Sequence, residues 1–595
     1  MIVNTRIYVL RYNIRMNATL LSEQDCQHLL NGTLPHERAI RLMARAGFAD
    51  PEAARLALQK MAAGPEGGRW PARFLAPLLL ALSKAASPDR VLVNLERMAQ
   101  NVPNRRAFFK TLAQNPRALQ ILVTLFAGSQ FLTEILLGAP HYFERLGNHR
   151  ALARPQSRAD FAQKARAAIE PVSGPDAQLD ALRRFQRWQL LRIGTGDLLG
   201  LLNLPTITAQ LSHLADALVQ VCLSLAARHT GTDPAGFVVL GMGKLGGEEL
   251  NYSSDIDLLF LAAGNAASFE RLGKRLIDAL TRVTAAGFLY RVDMRLRPWG
   301  KMGALVTPVE GHLAYLQRQA RRWEKQALLK ARVVAGDGAV GGHFLQRAAP
   351  LIMAATPQQA QTDIRAMKQR IETNLRRQGR QWGEVKLGQG SIRDIEFVTQ
   401  YLQLAHGSAR PHLLTPNTLR AMRRLAQDNL LTPDEYRILS DGYTFLRSVE
   451  HWLQMLHYRQ THTLPTDPGE LADLARRLGF TDGNAKDTFL ARYEQHTIAI
   501  RLVYQSHLEP EAANASPSPA PKAPPPPMLQ KHLARLSPAY ITTFSQTDIE
   551  RHAALAERIS PDNPVEVDAI PLNEGRWQVT IVGYDYLGEL SLICG

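Results

Sequence analysis

Two aspartates at the start of an apolar segment are the residues of this chain best suited to chemistry. Asp255 and Asp257 follow a glycine-rich turn at residues 241–247 and lead into the apolar run 258–261. Because residues i and i+2 of a strand face the same side, the spacing predicts two carboxylates projecting together, about 6–7 Å apart. Such a pair is stable when a cation lies between its members, and hard oxygen ligands favour Mg²⁺ or Mn²⁺.

A third carboxylate follows in residues 291–298, which alternate strictly between polar and apolar side chains. This alternation predicts a strand on which Asp293, Arg295 and Arg297 share one face. Three carboxylates on neighbouring strands can hold two divalent metals, and two arginines can bind a polyphosphate through forked hydrogen bonds. The combination is typical of two-metal phosphoryl or nucleotidyl transfer.

The glycine-rich turn has other interpretations. Its pattern Gly241-x-Gly243-x-x-Gly246 follows an apolar strand, as in dinucleotide-binding proteins. That fingerprint requires one acid roughly 20 residues on, at the end of the second strand, whereas here two acids open it. The P-loop pattern Gly-x-x-x-x-Gly-Lys-Ser/Thr is absent. An Asp-x-Asp pair alone is often only solvated, so the third, arginine-flanked acid is what favours a metal site.

Several turn residues are candidates for binding a nucleotide or phosphate alongside Arg295 and Arg297. They are Gly241, Gly243, Lys244 and Ser254. Lys244 is either a phosphate ligand or a surface lysine. Ser254 and the preceding serine either orient the carboxylates or touch phosphate, or they are ordinary turn hydroxyls.

These residues resemble a known family. The motifs at 241–258 and 291–298, with those at 322–332 and 385–397, closely resemble the bifunctional adenylyltransferase that modifies glutamine synthetase. That family belongs to the DNA polymerase β-like nucleotidyltransferases. The resemblance covers roughly residues 25–505.

The resemblance implies an enzyme that makes or breaks an AMP ester on a tyrosine of glutamine synthetase. Asp255, Asp257 and Asp293 would be its catalytic, metal-binding residues, and ATP, ADP and phosphate its substrates or products. The full family has an AMP-adding half and an AMP-removing half, but only one Asp-x-Asp core is visible here. Residues 291–298 look more like the removing half, although residues 395–402 look like the adding half. We therefore predict phosphorolytic removal of AMP, with release of ADP.

Two rival functions remain open. One is uridylylation of the PII signalling protein, favoured by a proline-rich linker and an ACT-like tail. The other is a non-catalytic regulatory scaffold that senses a ligand through that tail. The intact aspartate triad argues against a silent scaffold.

A second informative turn lies just before residue 397. Ser391 and Asp394 resemble a capping box that starts a helix. Arg393 and Glu396 are three residues apart and could pair. Together with Lys386, they either stabilise the start of this helix or face the catalytic cleft.

Composition narrows the class of protein. The chain has 595 residues, 45% of them hydrophobic, and a net charge of +16, which suggests acidic partners. No basic run is interleaved with aromatic residues, so we expect no nucleic-acid binding. Three scattered cysteines argue for a reducing compartment, and no apolar run of about 18 residues predicts a membrane span. Residues 1–16 do not resemble a signal peptide. We therefore expect a cytoplasmic protein without membrane association.

The expected fold class is mainly α, with an embedded α/β nucleotidyltransferase domain of the polymerase β type and helical bundles on both sides. Between the aspartate-bearing strands, residues 268–286 predict one helix whose apolar face includes Val283. The predicted domains are an N-terminal helical region (18–200), a nucleotidyltransferase catalytic domain (201–335), a helical bundle (336–508), a proline-rich linker (509–529) and a helical segment leading into an ACT-like domain (530–595).

The C-terminal tail predicts a strand at residues 577–582, a turn and the start of a helix. This order resembles the opening of an ACT domain. The sequence stops within that helix, so we expect the chain to be a fragment of a longer protein.

Overall fold

The computed structural model describes residues 23–62, 72–147, 149–457, 461–480 and 484–509, and two strands near the C-terminus. The chain forms two compact units, divided between Ala513 and Asn514. The interpretations of residues 1–16, of the linker from 510 onward, of the helical segment at 530–560 and of the tail after 583 lie outside the described residues.

The N-terminal region is helical throughout its described residues, as predicted. Its helices are α1 (Glu23–Leu30), α2 (His36–Arg45), α3 (Pro51–Ala62), α4 (Ala72–Leu82), α5 (Pro88–Asn101), α6 (Arg105–Gln114), α7 (Pro116–Gly128), α8 (Gln130–Gly138), α9 (Tyr142–Leu146), α10 (His149–Ala153), α11 (Arg158–Ile169), α12 (Pro175–Leu198) and α13 (Leu204–Thr230). Asn115 separates α6 from α7 because its side chain accepts the backbone N–H groups of Arg117 and Ala118, which caps α7.

A small mixed sheet follows. Its elements are β1 (Phe237–Gly241), the single turn α14 (Gly243–Gly246), β2 (Ile256–Ala262), α15 (Glu270–Thr281), β3 (Val292–Asp293), β4 (Val306–Pro308), α16 (Val309–Arg318), α17 (Arg322–Ala327) and β5 (Arg332–Gly336). The strand order is β3-β2-β1-β5, and β4 also pairs with β2. β1 is antiparallel to β2 and β5, whereas β2 is parallel to β3 and β4. β1 is buried along its whole length, which places the sheet inside the core.

A second helical region completes the first unit. It comprises α18 (Gly338–Ile352), α19 (Pro357–Arg377), α20 (Ile392–His406), α21 (Thr418–Gln427), α22 (Pro433–His457), α23 (Pro468–Arg477) and α24 (Ala485–Leu508). The apolar stripe of α22 is buried at Leu439, Tyr443, Leu446 and Leu453. Together with the sheet, these helices confirm a mainly α fold with an embedded α/β domain.

The second unit contains an antiparallel pair, β6 (Val565–Pro571) and β7 (Trp577–Gly583). The strand predicted at residues 577–582 is confirmed, and β6 was not predicted.

Two predictions about the sheet region are wrong. The strand expected over residues 291–298 ends at Asp293, because the Asp293 carboxylate accepts the backbone N–H of Arg295 at 2.8 Å and turns the chain. The helix expected over residues 268–286 ends at Thr281, after which the Arg282 carbonyl accepts a bond from Arg183 of α12 at 2.9 Å. Val283 is consequently 73% exposed rather than part of an apolar face.

The predicted capping box at the start of α20 is also wrong. Ser391 is the N-cap residue, but its hydroxyl donates to the Lys386 carbonyl at 2.9 Å. Asp394 accepts the N–H of Gly390 at 2.8 Å instead of that of Ser391. Both side chains therefore hold the loop before the helix rather than its first turn.

One described helix, α13, is long and apolar enough to cross a membrane by length and composition, which the sequence analysis did not anticipate. Within the protein, 72% of its apolar window is buried. Its Asp216, fully buried, pairs with Arg332 of β5 at 2.7 Å. These contacts are those of a core helix packed on the sheet.

Candidate active site

Two of the three aspartates lie side by side on neighbouring strands. Asp257 of β2 and Asp293 of β3 are paired in register. Asp255 precedes β2 by one residue, and its carboxylate contacts the Arg291 guanidinium at 2.5 Å. Arg291 also donates to the Ser253 carbonyl at 2.7 Å. The sheet thus brings two carboxylates together and holds the third against an arginine.

The two in-register carboxylates have opposite electrostatic environments. Asp257 makes no side-chain hydrogen bond or ion pair to any described residue. Burial raises its pKa to about 6, and the charges of Asp293 and Asp255 act in the same direction. Hydrogen bonds from the Arg295 side chain lower the pKa of Asp293. Asp257 is therefore the one of these two carboxylates that has no direct hydrogen-bond or ion-pair partner among the described side chains.

The surroundings of the Asp257 carboxylate suit a role as a metal ligand. Gly243 has a φ of +53°, and a Cβ built on it would lie 2.6 Å from Asp257 Oδ2. Glycine thus leaves that oxygen accessible, and carboxylate oxygens suit Mg²⁺ or Mn²⁺. Within the described ranges, however, no three Asp, Glu, His or Cys side chains converge on a common metal position. Asp255 would join the other two only after leaving Arg291.

Buried charges from α22 fix the loop between β1 and β2. Glu450, fully buried, lies 2.7 Å from Lys244 Nζ and accepts a hydrogen bond from Asn251 at 2.9 Å. Arg447 donates to the Glu249 carbonyl at 2.6 Å and to Asn251 at 2.8 Å. Although burial acts to raise it, the charges of Lys244 and Arg447 hold the pKa of Glu450 well below its usual range. The surface alternative for Lys244 is wrong, because its ammonium is fixed in this network.

The other turn candidates occupy different environments. Gly241 lies in β1, where a Cβ would come 2.6 Å from a Val334 methyl group, so close packing explains this glycine. Ser254 accepts the backbone N–H of Asn251 at 3.3 Å, as a turn hydroxyl does. The Ser253 hydroxyl is buried and has no partner in the described part of the chain.

The two predicted phosphate-binding arginines do not share a strand face. Arg295 is 70% exposed and lies on the Asp293 carboxylate. Arg297 donates to the carbonyls of Met294, Lys301 and Gly303 at 2.9–3.1 Å. Its guanidinium therefore closes the turn after β3, while that of Arg295 remains accessible.

Two of the three residues around the start of α20 pair with each other. Arg393 and Glu396 form an ion pair at 3.3 Å. The positive charge of Lys386 acts on the pKa of both Glu396 and Asp257. Of these three residues, Lys386 is the one whose charge acts to lower the pKa of Asp257.

Sequence reasoning missed Glu450 and Arg447. The signal was present in α22, where two charged residues three positions apart interrupt an apolar helix. It also missed the buried Lys330, which contacts Glu249 at 2.7 Å and Thr418 at 2.6 Å.

A small mixed sheet with in-register aspartates, embedded in helices, defines the nucleotidyltransferase class of fold that the motifs predicted. Residues 119–347 match the glutamate-ammonia ligase adenylyltransferase family, and residues 365–508 match the GlnD PII-uridylyltransferase family. Residues 119–347 thus belong to the glutamine synthetase adenylyltransferase family, and the predicted family is confirmed.

Three curated relatives carry the name bifunctional glutamine synthetase adenylyltransferase/adenylyl-removing enzyme. That of Nitrosococcus oceani is 33% identical over 471 residues, covering 74% of this chain and 46% of the relative. That of Streptomyces avermitilis is 32% identical over 478 residues, covering 78% of this chain and 46% of the relative. That of Thioalkalivibrio sulfidiphilus is 35% identical over 422 residues, covering 67% of this chain and 43% of the relative. This chain spans less than half the length of each.

Proposed function

We propose that this chain is a metal-dependent nucleotidyltransferase that acts on the AMP ester of a tyrosine in glutamine synthetase. The observation that carries the proposal is the Asp257 carboxylate, which pairs with no described residue, lies in register with Asp293 and is adjacent to Gly243. The names of the relatives supply the substrate. The cytoplasm, and the absence of nucleic-acid and membrane partners, stay predictions from the sequence.

The chain's residues have separate roles in this proposal. Asp257 and Asp293 would hold the cation, and Asp255 would be a third ligand if its ion pair with Arg291 opened. A bound Mg²⁺ or Mn²⁺ supplies charge stabilisation to in-line displacement at phosphorus. Arg295, exposed beside Asp293, binds a phosphate oxygen. Arg297 holds the turn that presents Arg295.

The direction we propose is removal of AMP. Orthophosphate attacks the phosphorus of the tyrosyl-AMP ester, the bond to the tyrosine oxygen breaks, and ADP and free tyrosine hydroxyl are formed. The resemblance of residues 291–298 to the removing half of the family supports this direction. The strict reverse of this reaction is transfer of AMP from ADP with release of orthophosphate. Addition of AMP from ATP, which releases pyrophosphate, is a separate displacement at the same kind of phosphorus and would use the same metal-binding residues.

The test offers the purified protein each substrate pair with Mg²⁺: adenylylated glutamine synthetase with orthophosphate, and unmodified glutamine synthetase with ATP. We expect Asp257→Asn to lose at least about a thousandfold in rate, since a bound metal contributes several kcal/mol and each 1.4 kcal/mol is tenfold. Circular dichroism of the variant should match the parent. Near-parental turnover by Asp257→Asn would contradict the metal assignment. Addition of AMP from ATP, without phosphate-dependent release of ADP, would show that the protein adds AMP and does not remove it.

The match of residues 365–508 to the GlnD PII-uridylyltransferase family favours a second candidate, transfer of UMP to PII. The same assay with UTP and PII distinguishes the two candidates. Incorporation of UMP into PII, with no reaction of either glutamine synthetase form, would support this alternative.

A further inference from the structure

The turn after β3, residues 294–303, carries two exposed apolar side chains. Trp299 is 57% exposed and Met302 is 92% exposed. The Met302 N–H donates to the Trp299 carbonyl at 3.3 Å, so the two residues are neighbours in space as well as in sequence. Single exposed apolar residues are common, whereas adjoining ones often mark a place where another molecule binds. Trp299 and Met302 together form an apolar tip on this turn.

The backbone of Trp299 adopts a conformation that is unfavourable for a bulky residue. Its φ is +58°, in the left-handed region, and Gly300 follows with a φ of +59°. The Trp299 ring contacts the Tyr315 ring of α16, with 4.8 Å between centroids. The Tyr315 hydroxyl in turn donates to Glu324 at 2.7 Å. The indole is thus supported on one side while most of it stays exposed, and strained backbone of this kind clusters at ligand-binding sites.

The apolar tip borders the residues that we propose for phosphate and metal binding. Asp293 accepts the Arg295 N–H at 2.8 Å, and the Arg295 guanidinium contacts the same carboxylate at 2.5 Å. The turn then folds back, because a Cβ built on Gly300 would lie 3.7 Å from the Arg295 carbonyl. Trp299 and Met302 stand on either side of this contact in the chain. A molecule whose phosphate is bound by Arg295 therefore lies next to the tip.

The charge of the turn narrows the chemistry of such a molecule. Residues 294–303 contain Arg295, Arg297 and Lys301 and no acidic residue. Arg297 closes the turn, whereas Arg295 and Lys301 are exposed. Apolar side chains between exposed cations complement a partner that is both apolar and anionic. A protein segment with an adenylylated tyrosine has this character, since its phosphate is an anion and its aromatic ring is apolar.

We propose that Trp299 and Met302 form a docking surface for the protein substrate, and that they bind the segment of glutamine synthetase that carries the adenylylated tyrosine. The proposal rests on the proposed function and extends it from the metal site to recognition of the protein substrate. Binding of the segment at the tip brings the tyrosyl phosphate to Arg295 and Asp293. Because Tyr315 already holds the Trp299 ring, little side-chain freedom is lost on binding. Met302 is flexible and adapts to the partner's surface.

The test measures the affinity for adenylylated glutamine synthetase by surface plasmon resonance. Mg²⁺ is present and orthophosphate is left out, so that AMP removal does not occur. The variants are Trp299→Asn, since asparagine tolerates a positive φ, and Met302→Ser. The matched control is Leu56→Ser, because Leu56 is also apolar and 51% exposed, on α3.

Both variants of the tip should bind adenylylated glutamine synthetase more weakly than the parent. We expect the dissociation constant to rise about thirtyfold for Trp299→Asn and about fivefold for Met302→Ser, as for an aromatic anchor and its neighbour in an interface. Leu56→Ser should bind as the parent does. The affinity for α,β-methylene-ATP with Mg²⁺, measured by calorimetry, should be the same in all four proteins.

The outcomes separate this proposal from the function on which it rests. Parent-like affinity of both tip variants for adenylylated glutamine synthetase would overturn the docking surface and leave the proposed function standing. A folded parent that binds neither form of glutamine synthetase would overturn both. An equal loss of affinity for α,β-methylene-ATP would show that the tip contacts the nucleotide instead. Self-association of the parent that the variants abolish, seen by sedimentation velocity, would show that a second copy of this chain occupies the tip. Either of these last two results would also overturn the proposal.

Discussion

Two segments flank the aspartates and are held in different ways. The entry loop, residues 242–255, leads into β2 and is fixed by Glu450 and Arg447, almost 200 residues further along the chain. The exit turn, residues 294–303, leaves β3 and is closed by its own Arg297. The entry loop is largely buried, whereas the exit turn exposes Trp299 by 57% and Met302 by 92%.

This difference shows which part of the site is held by distant residues and which part is held by its own. Removing one member of a buried ion network leaves uncompensated charges, which is expensive, whereas a half-exposed turn can replace lost bonds with water. The entry loop also carries Gly243 beneath Asp257, so its position affects the carboxylate directly. The second helical region is consequently a structural part of the site, and the exit turn is a local one.

The largest effect is expected from breaking the anchor of the entry loop. Glu450→Ala leaves Lys244 and Arg447 buried without their carboxylate, which should lower the free energy of unfolding by about 3–5 kcal/mol. Denaturant unfolding of the first unit measures this. Glu310→Ala is the control, since its pair with Arg347 is exposed and worth at most about 1 kcal/mol. Equal losses in the two variants would remove the distinction between the segments.

The second-largest effect is expected in how the free energy of unfolding depends on pH for variants of Asp257 and Asp293. The measurement is made with a chelator present, so that no metal ion is bound. The folded pKa of Asp257 is about 6, above its ordinary 3.8, so its ionised form destabilises the metal-free protein. Asp257→Asn should therefore gain stability relative to the parent as pH rises from about 4 to 6, by up to about 3 kcal/mol. The pKa of Asp293 is lowered below its ordinary 3.8, so Asp293→Asn should lose stability relative to the parent as pH rises towards about 4, with no further change above that pH. Parallel pH profiles for the two variants would refute this contrast.

A smaller effect is expected at the closure of the exit turn. Arg297→Lys keeps the charge but loses the planar fork that reaches three carbonyls. We expect a loss of about 1–2 kcal/mol in unfolding free energy, since each net hydrogen bond contributes about 0.5–1.5 kcal/mol. Arg295→Lys, at an exposed side chain, should change the melting temperature little. If Arg297→Lys lost activity but kept its stability, the result would support the phosphate-binding role predicted from the sequence instead of the structural role.

The smallest effect is expected at the tip of the exit turn. Met302 is 92% exposed, so Met302→Ser should change the unfolding free energy by no more than about 0.5 kcal/mol. Differential scanning fluorimetry of the two proteins would check this. A clear drop in melting temperature would show that the tip packs against another part of the protein.

The sequence by itself determined the class of fold and indicated the chemistry that we propose. Gly243, Asp257 and Asp293 stand in motifs long enough to identify the family, and the alternation of buried residues around Asp257 follows from the period of a strand. Helical periodicity was sufficient to predict the helical regions on both sides of the sheet, because helices such as α22 bury a continuous apolar face.

Only the tertiary structure decided which charged groups are paired. The strand after Asp293 ended early because one carboxylate captured a backbone N–H, a contact that alternation of polarity does not reveal. By sequence alone, Lys244 and Lys386 are both lysines in glycine-containing loops, yet Glu450 pairs with the first, and the second has no ion pair with any described residue. The physical reason is that pairing depends on distances between residues far apart in the chain, whereas propensity and periodicity report only on neighbours.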